Sequence, residues 1–107
     1  MIQSEIDFKK QLEANRAVLF YFATRSCAVG EALEPKVRGL LHEKYPQLLF
    51  SFVDMNLAPE LAASHQVFVE PTILLFIDGK ESLRKSRHIG LSELEQTLTR
   101  IYALAFD

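Results

Sequence analysis

Three runs of this chain are apolar on successive residues. They are Ala17-Val-Leu-Phe-Tyr-Phe-Ala23, Leu48-Leu-Phe-Ser-Phe-Val53 and Thr72-Ile-Leu-Leu-Phe-Ile77. Runs of six or seven residues that are apolar on both parities predict strands buried on both faces of a sheet. Asp78-Gly79 follows the third run and is a hairpin signal. Glu81 to His88 then predicts a returning antiparallel strand. It is polar, with only Leu83 and the following Ile89 apolar, as expected of a strand at a sheet edge.

Between these runs the period changes to that of a helix. Ser4 to Asn15 carries Phe8 and Leu12 at i,i+4, with Ser4 and Asp7 as capping residues. Ala28 to Lys44 places Leu33, Val37, Leu40 and Leu41 on one face and stops at Tyr45-Pro46. Pro35 lies inside that pattern and predicts a kink. Pro59 to His65 reads as a short helix led by Asn56. Ser92-Glu-Leu-Glu95 reads as a capping box, with Leu91, Leu94, Leu98, Ile101 and Ala105 as the apolar stripe behind it. The helix between the first two strands predicts that they run parallel, and the last two strands form an antiparallel hairpin. The expected architecture is α/β, a mixed central sheet with helices on both faces.

Composition narrows the setting. The chain has 107 residues, 49% apolar and 24% charged, which suits one globular domain, residues 1–107. Twelve basic and 14 acidic residues give a net charge of −2, with no basic run, so nucleic acid is not an expected partner. No apolar run approaches the length of a membrane span, and the N-terminal residues lack the pattern of a signal peptide. A cytoplasmic, monomeric protein without membrane contact is expected. The single cysteine, Cys27, excludes an intrachain disulfide and any metal site built on several cysteines. No cofactor or metal is expected. There is no glycine-rich phosphate loop and no Gly-x-Ser-x-Gly elbow.

Two places could carry chemistry. Cys27 follows the first strand by four residues and stands just ahead of the second helix. Unpaired amides and the positive end of the helix dipole would stabilise a thiolate there, with Arg25 assisting if its side chain turns inward. The plainer reading is a small buried cysteine after a strand. The second place is Val69-Glu70-Pro71-Thr72, ahead of the third strand, where the proline either simply starts the strand or is held cis.

These residues carry a resemblance. Ala17 through Pro35 is similar to the first strand, active-site loop and kinked helix of thioredoxins. Cys27 stands at the first cysteine of that family's Trp-Cys-Gly-Pro-Cys motif, and Pro35 at its helix proline. Glu70-Pro71-Thr72 resembles the family's cis-proline segment, Asp78-Gly79 its hairpin, and His88-Ile89-Gly90 its third active-site loop. The resemblance spans nearly the whole chain and implies a thioredoxin-like fold. It also implies a catalytic Cys27 and a substrate groove formed by Ser26, Ala28, Val29, Gly30, Glu70, Pro71, Thr72 and His88.

The departures bear on function. Gly30 replaces the second cysteine of the motif and Ser26 its tryptophan, and the chain has no tryptophan. Tyr21 stands where thioredoxins have a buried aspartate. Glu70 stands where an aliphatic residue or threonine precedes the proline, and Val69 where glycine is common. Without a second thiol, a mixed disulfide on Cys27 has no internal resolving group. A Glu70 carboxylate near the thiolate would oppose it unless Arg25 or a basic partner residue neutralised it. The chain is therefore expected to act as a monothiol protein, exchanging disulfides with protein or low-molecular-weight thiols, and not as a complete dithiol oxidoreductase. A groove kept for binding after loss of redox chemistry is the second reading. A monothiol glutaredoxin-like cluster carrier is the third, and Cys27-Ala28-Val29-Gly30 does not match its Cys-Gly-Phe-Ser. His42 and His65 read as helix-end or surface residues, and Phe20, Tyr21, Phe22, Phe50, Phe52 and Phe76 as core.

Overall fold

The computed structural model describes residues 2–25 and 28–106, with the backbone alone at 28–30. The elements are α1 (Glu5–Ala14), β1 (Ala17–Ala23), α2 (Ala28–Lys44), β2 (Leu49–Asp54), α3 (Pro59–Ser64), β3 (Thr72–Ile77), β4 (Lys80–Ser86) and α4 (Leu91–Phe106). The strands form one sheet in the order β2-β1-β3-β4. β1 is parallel to β2 and antiparallel to β3, and β3 is antiparallel to β4. This is the mixed sheet that the hydrophobic pattern predicts.

The period-2 geometry of β1 sorts its side chains into two cores. Leu19 and Tyr21 join Leu41 and Val37 of α2 and Leu94 and Leu98 of α4 on one face. Val18, Phe20 and Phe22 join Phe8 of α1 and Leu61 and Ala62 of α3 on the other. Helices therefore cover both faces, and all seven residues of β1 are buried. Phe8 stacks on Phe20 at 4.1 Å between ring centroids and meets Phe76 edge-on at 5.4 Å. His65, at the C-cap of α3, packs its ring 4.5 Å from Phe8.

Several local expectations change. β2 is a sheet edge, so its first half is not buried on both faces: Leu49 is exposed and Phe50 partly so. A near-continuous apolar run does not by itself distinguish an edge strand from a central one. α3 is not led by Asn56. Ala58 precedes Pro59 at the cap, and the Asn56 amide donates to the Asp54 carboxylate at 2.8 Å. α4 starts at Leu91, with the Leu94 amide donating to the Gly90 carbonyl, so Ser92 lies inside the first turn and not at its cap. At α1 the expectation holds: Ser4 Oγ accepts the Asp7 amide, and the Asp7 carboxylate accepts the Gln3 amide. α2 continues on both sides of Pro35.

Candidate functional site

The candidate site lies where the C-terminal end of β1 meets the N-terminal end of β3. Antiparallel pairing of Phe22 with Thr72 brings these ends side by side. Thr24, the first residue after β1, then meets the loop before β3. Ser26 and Cys27 fall outside the described residues, as do the side chains of Ala28, Val29 and Gly30. The backbone of α2 is helical from Ala28, so position 27 immediately precedes the helix in the chain.

Three bonds fix the loop before β3. The Glu70–Pro71 peptide bond is cis, and Pro71 is buried. Thr72, 1% exposed, donates its hydroxyl to the Val69 carbonyl at 2.7 Å and meets the Ser86 hydroxyl at 3.2 Å. The Arg87 amide donates to the Pro71 carbonyl at 2.7 Å. Arg87 has φ of 62°, a left-handed turn that ends β4 and places the next residue, His88, beyond it. His88 is exposed. Glu70, Pro71, Thr72 and the 86–88 loop therefore converge on one end of the sheet.

Glu70 does not pair with Arg25. Its Oε1 accepts the Thr24 hydroxyl at 2.9 Å, which ties the end of β1 to the proline loop. Arg25 is engaged elsewhere. Its Nη1 donates to Glu34 Oε1 at 2.8 Å, and its guanidinium carbon lies 3.8 Å from the centre of the Phe52 ring. The ring and the carboxylate hold this cation along β2. Sequence reasoning passed over Thr24 and Glu34. A hydroxyl residue just after β1 and the i,i+4 spacing of Glu34 and Arg38 were the available signals.

Tyr21 is fully buried, with its ring 5.7 Å from Phe50 and 6.0 Å from Phe52. The core beneath the site thus holds aromatic rings where the resembled family has an acid. No helix of the described residues is long and apolar enough to cross a membrane.

Comparison with known proteins agrees with this geometry. The thioredoxin family model matches residues 1–100. The thioredoxin-like protein YdfQ of Bacillus subtilis (strain 168) is 30% identical over 96% of this chain and 91% of its own length. A thioredoxin of Aspergillus fumigatus is 29% identical over 95% of this chain and 93% of its own. The X-ray structure of Fasciola hepatica thioredoxin superposes with a TM-score of 0.83 at 30% identity, covering 92% of this chain and 94% of that one. The four-stranded mixed sheet and these matches together establish that the chain belongs to the thioredoxin family, whose function is redox chemistry on protein substrates.

Proposed function

We propose that this protein is a monothiol member of its family, with Cys27 as nucleophile. The observation that carries the reading is positional. The chain's one cysteine directly precedes α2, and the loop before β3 is held ready beside the end of β1 by the Thr24–Glu70 bond. The Cys27 thiolate attacks one sulfur of a substrate disulfide. A Cys27–substrate disulfide forms, and the other sulfur leaves as a thiolate. An external thiol, from a protein or a low-molecular-weight compound, then attacks the mixed disulfide. It takes the substrate sulfur into a new disulfide and frees Cys27 as thiolate. Amides of Ala28 to Gly30 at the start of α2 favour the thiolate. Glu70, Pro71 and Thr72 hold the substrate backbone, and Ser26 and His88 also serve substrate binding. The protein works as a monomer in the cytoplasm, where a reducing pool keeps a lone thiol free.

The test is the pH dependence of Cys27 alkylation in the native protein, with Cys27→Ser as blank. An apparent pKa well below the ~8.5 of free cysteine is expected, followed by trapping of mixed-disulfide partners. A normal or raised value, or reaction only after unfolding, overturns the proposal. It would favour the second reading, a groove used for binding alone. The fully buried Tyr21 supports that alternative, because a phenol ring and not a carboxylate stands at that position of β1.

A further inference from the structure

We propose that the outer edge of β2 is a second binding site, which takes an extended acidic segment of a partner protein as an added strand. The argument starts from the direction of the backbone groups. The Met55 amide bonds to Ala23 at the end of β1, and the Ile2 amide bonds to the Phe52 carbonyl from the opposite side. Backbone groups alternate along a strand. Leu49, Ser51 and Val53 therefore turn toward β1, and Phe50 and Phe52 turn outward. Ile2 pairs with Val53 as a single bridge and occupies only the far end of this edge. Among the described residues, no hydrogen bond from outside the sheet reaches the Phe50 amide, the Phe50 carbonyl or the Phe52 amide. These three groups form the start of an unmade ladder, the arrangement that strand addition uses.

The edge lies in a trough. A cavity of about 340 Å³ runs past Gln11, Arg25, Arg38 and Phe50. A second cavity of about 580 Å³ continues past Arg38, Leu49 and Phe50 toward Asn15 and His42. The two walls differ. On the α2 side, Arg38 and Arg25 lie over Phe50 and Phe52 at 4.2 and 3.8 Å. Each guanidinium gives one N–H to Glu34 and is about half exposed, 53% and 50%. Two cations share one carboxylate, so this wall keeps a positive excess and further N–H donors. On the α1 side, Gln11 is bonded to the Ser51 hydroxyl, and Leu49 offers an exposed apolar surface.

A strand laid along this edge sends alternate side chains to the two walls. Acidic residues at every second position would meet Arg25 and Arg38, and apolar residues between them would meet Leu49. A second copy of this chain is a poorer occupant. Antiparallel pairing of β2 with itself about a two-fold axis would set the arginine wall of one copy beside that of the other, and like charges across a strand pair repel.

The experiment uses the full chain and two blocked hexapeptides, acetyl-(Val-Glu)3-amide and acetyl-(Val-Lys)3-amide. Amide hydrogen exchange and amide chemical shifts are followed by NMR. The glutamate peptide should slow exchange at Phe50 and Phe52 at least tenfold and shift their resonances, with saturation. The lysine peptide should do neither. Arg38→Gln, checked for folding by circular dichroism, should weaken the glutamate peptide at least fivefold. The proposal is overturned if the Phe50 amide is unchanged at millimolar peptide or if both peptides bind equally. It also fails if slowed exchange follows protein concentration without peptide, which would make a second copy the occupant. The two-peptide comparison on the unaltered chain stands even if Arg38→Gln misfolds.

Discussion

At one end of the sheet β4 presents Lys80, Glu81, Ser82, Arg84 and Ser86 to solvent; at the other β2 presents Leu49 and Phe50, with two arginines from outside the strand lying on its rings. β4 carries its charges on the strand itself, an arrangement that disfavours further pairing. Arg84 binds both carboxylate oxygens of Glu81 and reaches the carbonyls of His65 and Gln66. Lys85 binds Glu93 of α4 at 2.8 Å. The β3–β4 register also slips at Leu75/Phe76, an irregularity of the kind that discourages edge pairing. At β2 the charges do the reverse. They lie flat on aromatic rings to one side of the strand and leave the outward backbone groups accessible. Charge at a strand edge can therefore either block pairing or select for it, depending on whether it stands across the edge or beside it.

The sharpest way to test that contrast begins with the strand that both halves share. Phe20→Ala in β1 removes a fully buried ring from the stack with Phe8 and Phe76, and should lose about 3–5 kcal/mol by chemical denaturation. Phe52→Ala, at the edge, should cost less, about 2–3 kcal/mol, because Arg25 and water can settle into the space. A loss as large as that of Phe20→Ala would mean that β2 behaves as interior. Glu34→Gln keeps the shape of the arginine clamp and removes its charge. About 1 kcal/mol is expected from thermal unfolding, since both arginines are half exposed and rehydrate.

The smallest effect belongs to β4. Its hydrogen bond from Arg84 holds the Glu81 carboxyl below the ordinary value of 4.5. The folded-state value is depressed, so this contribution is full above the unfolded value and is lost as pH falls through the folded one. Glu81→Gln should therefore cost well under ~1 kcal/mol near neutrality, given its solvent exposure. The difference from the unaltered protein should shrink as pH falls below the ordinary carboxylate range and vanish once the folded carboxyl is protonated, as read from denaturation curves. A difference that persists there would assign it to packing and not to the ion pair.

Much of this was legible in the chain. β1 and β3 were marked by continuous apolar runs because they are central strands, and α2 by its spacing from Leu33 to Leu41 together with the Tyr45-Pro46 stop. The edge status of β2 was hidden, since Phe50 and Phe52 look like core residues until the arginines covering them are seen. Both arginines come from outside the strand, at sequence separations that no local pattern reports. The start of α4 is not legible, because Ser92 fits a cap in composition while the chain already turns helical at Leu91. At the site, Pro71 and Thr72 were legible from their setting. The bond from Thr24 to Glu70 crosses 46 positions and depends on β1–β3 register.

That bond also has an evolutionary consequence. A hydroxyl at position 24 and a carboxylate at position 70 are donor and acceptor across two loops, so neither serves the same purpose without the other. Related chains that carry an aliphatic residue at the position of Glu70 offer no acceptor there for a hydroxyl at position 24. Those that keep the acid should keep a serine or threonine there. An acid at position 70 should therefore occur together with a hydroxyl residue at position 24 more often than chance allows, a co-occurrence that sequence comparison can check.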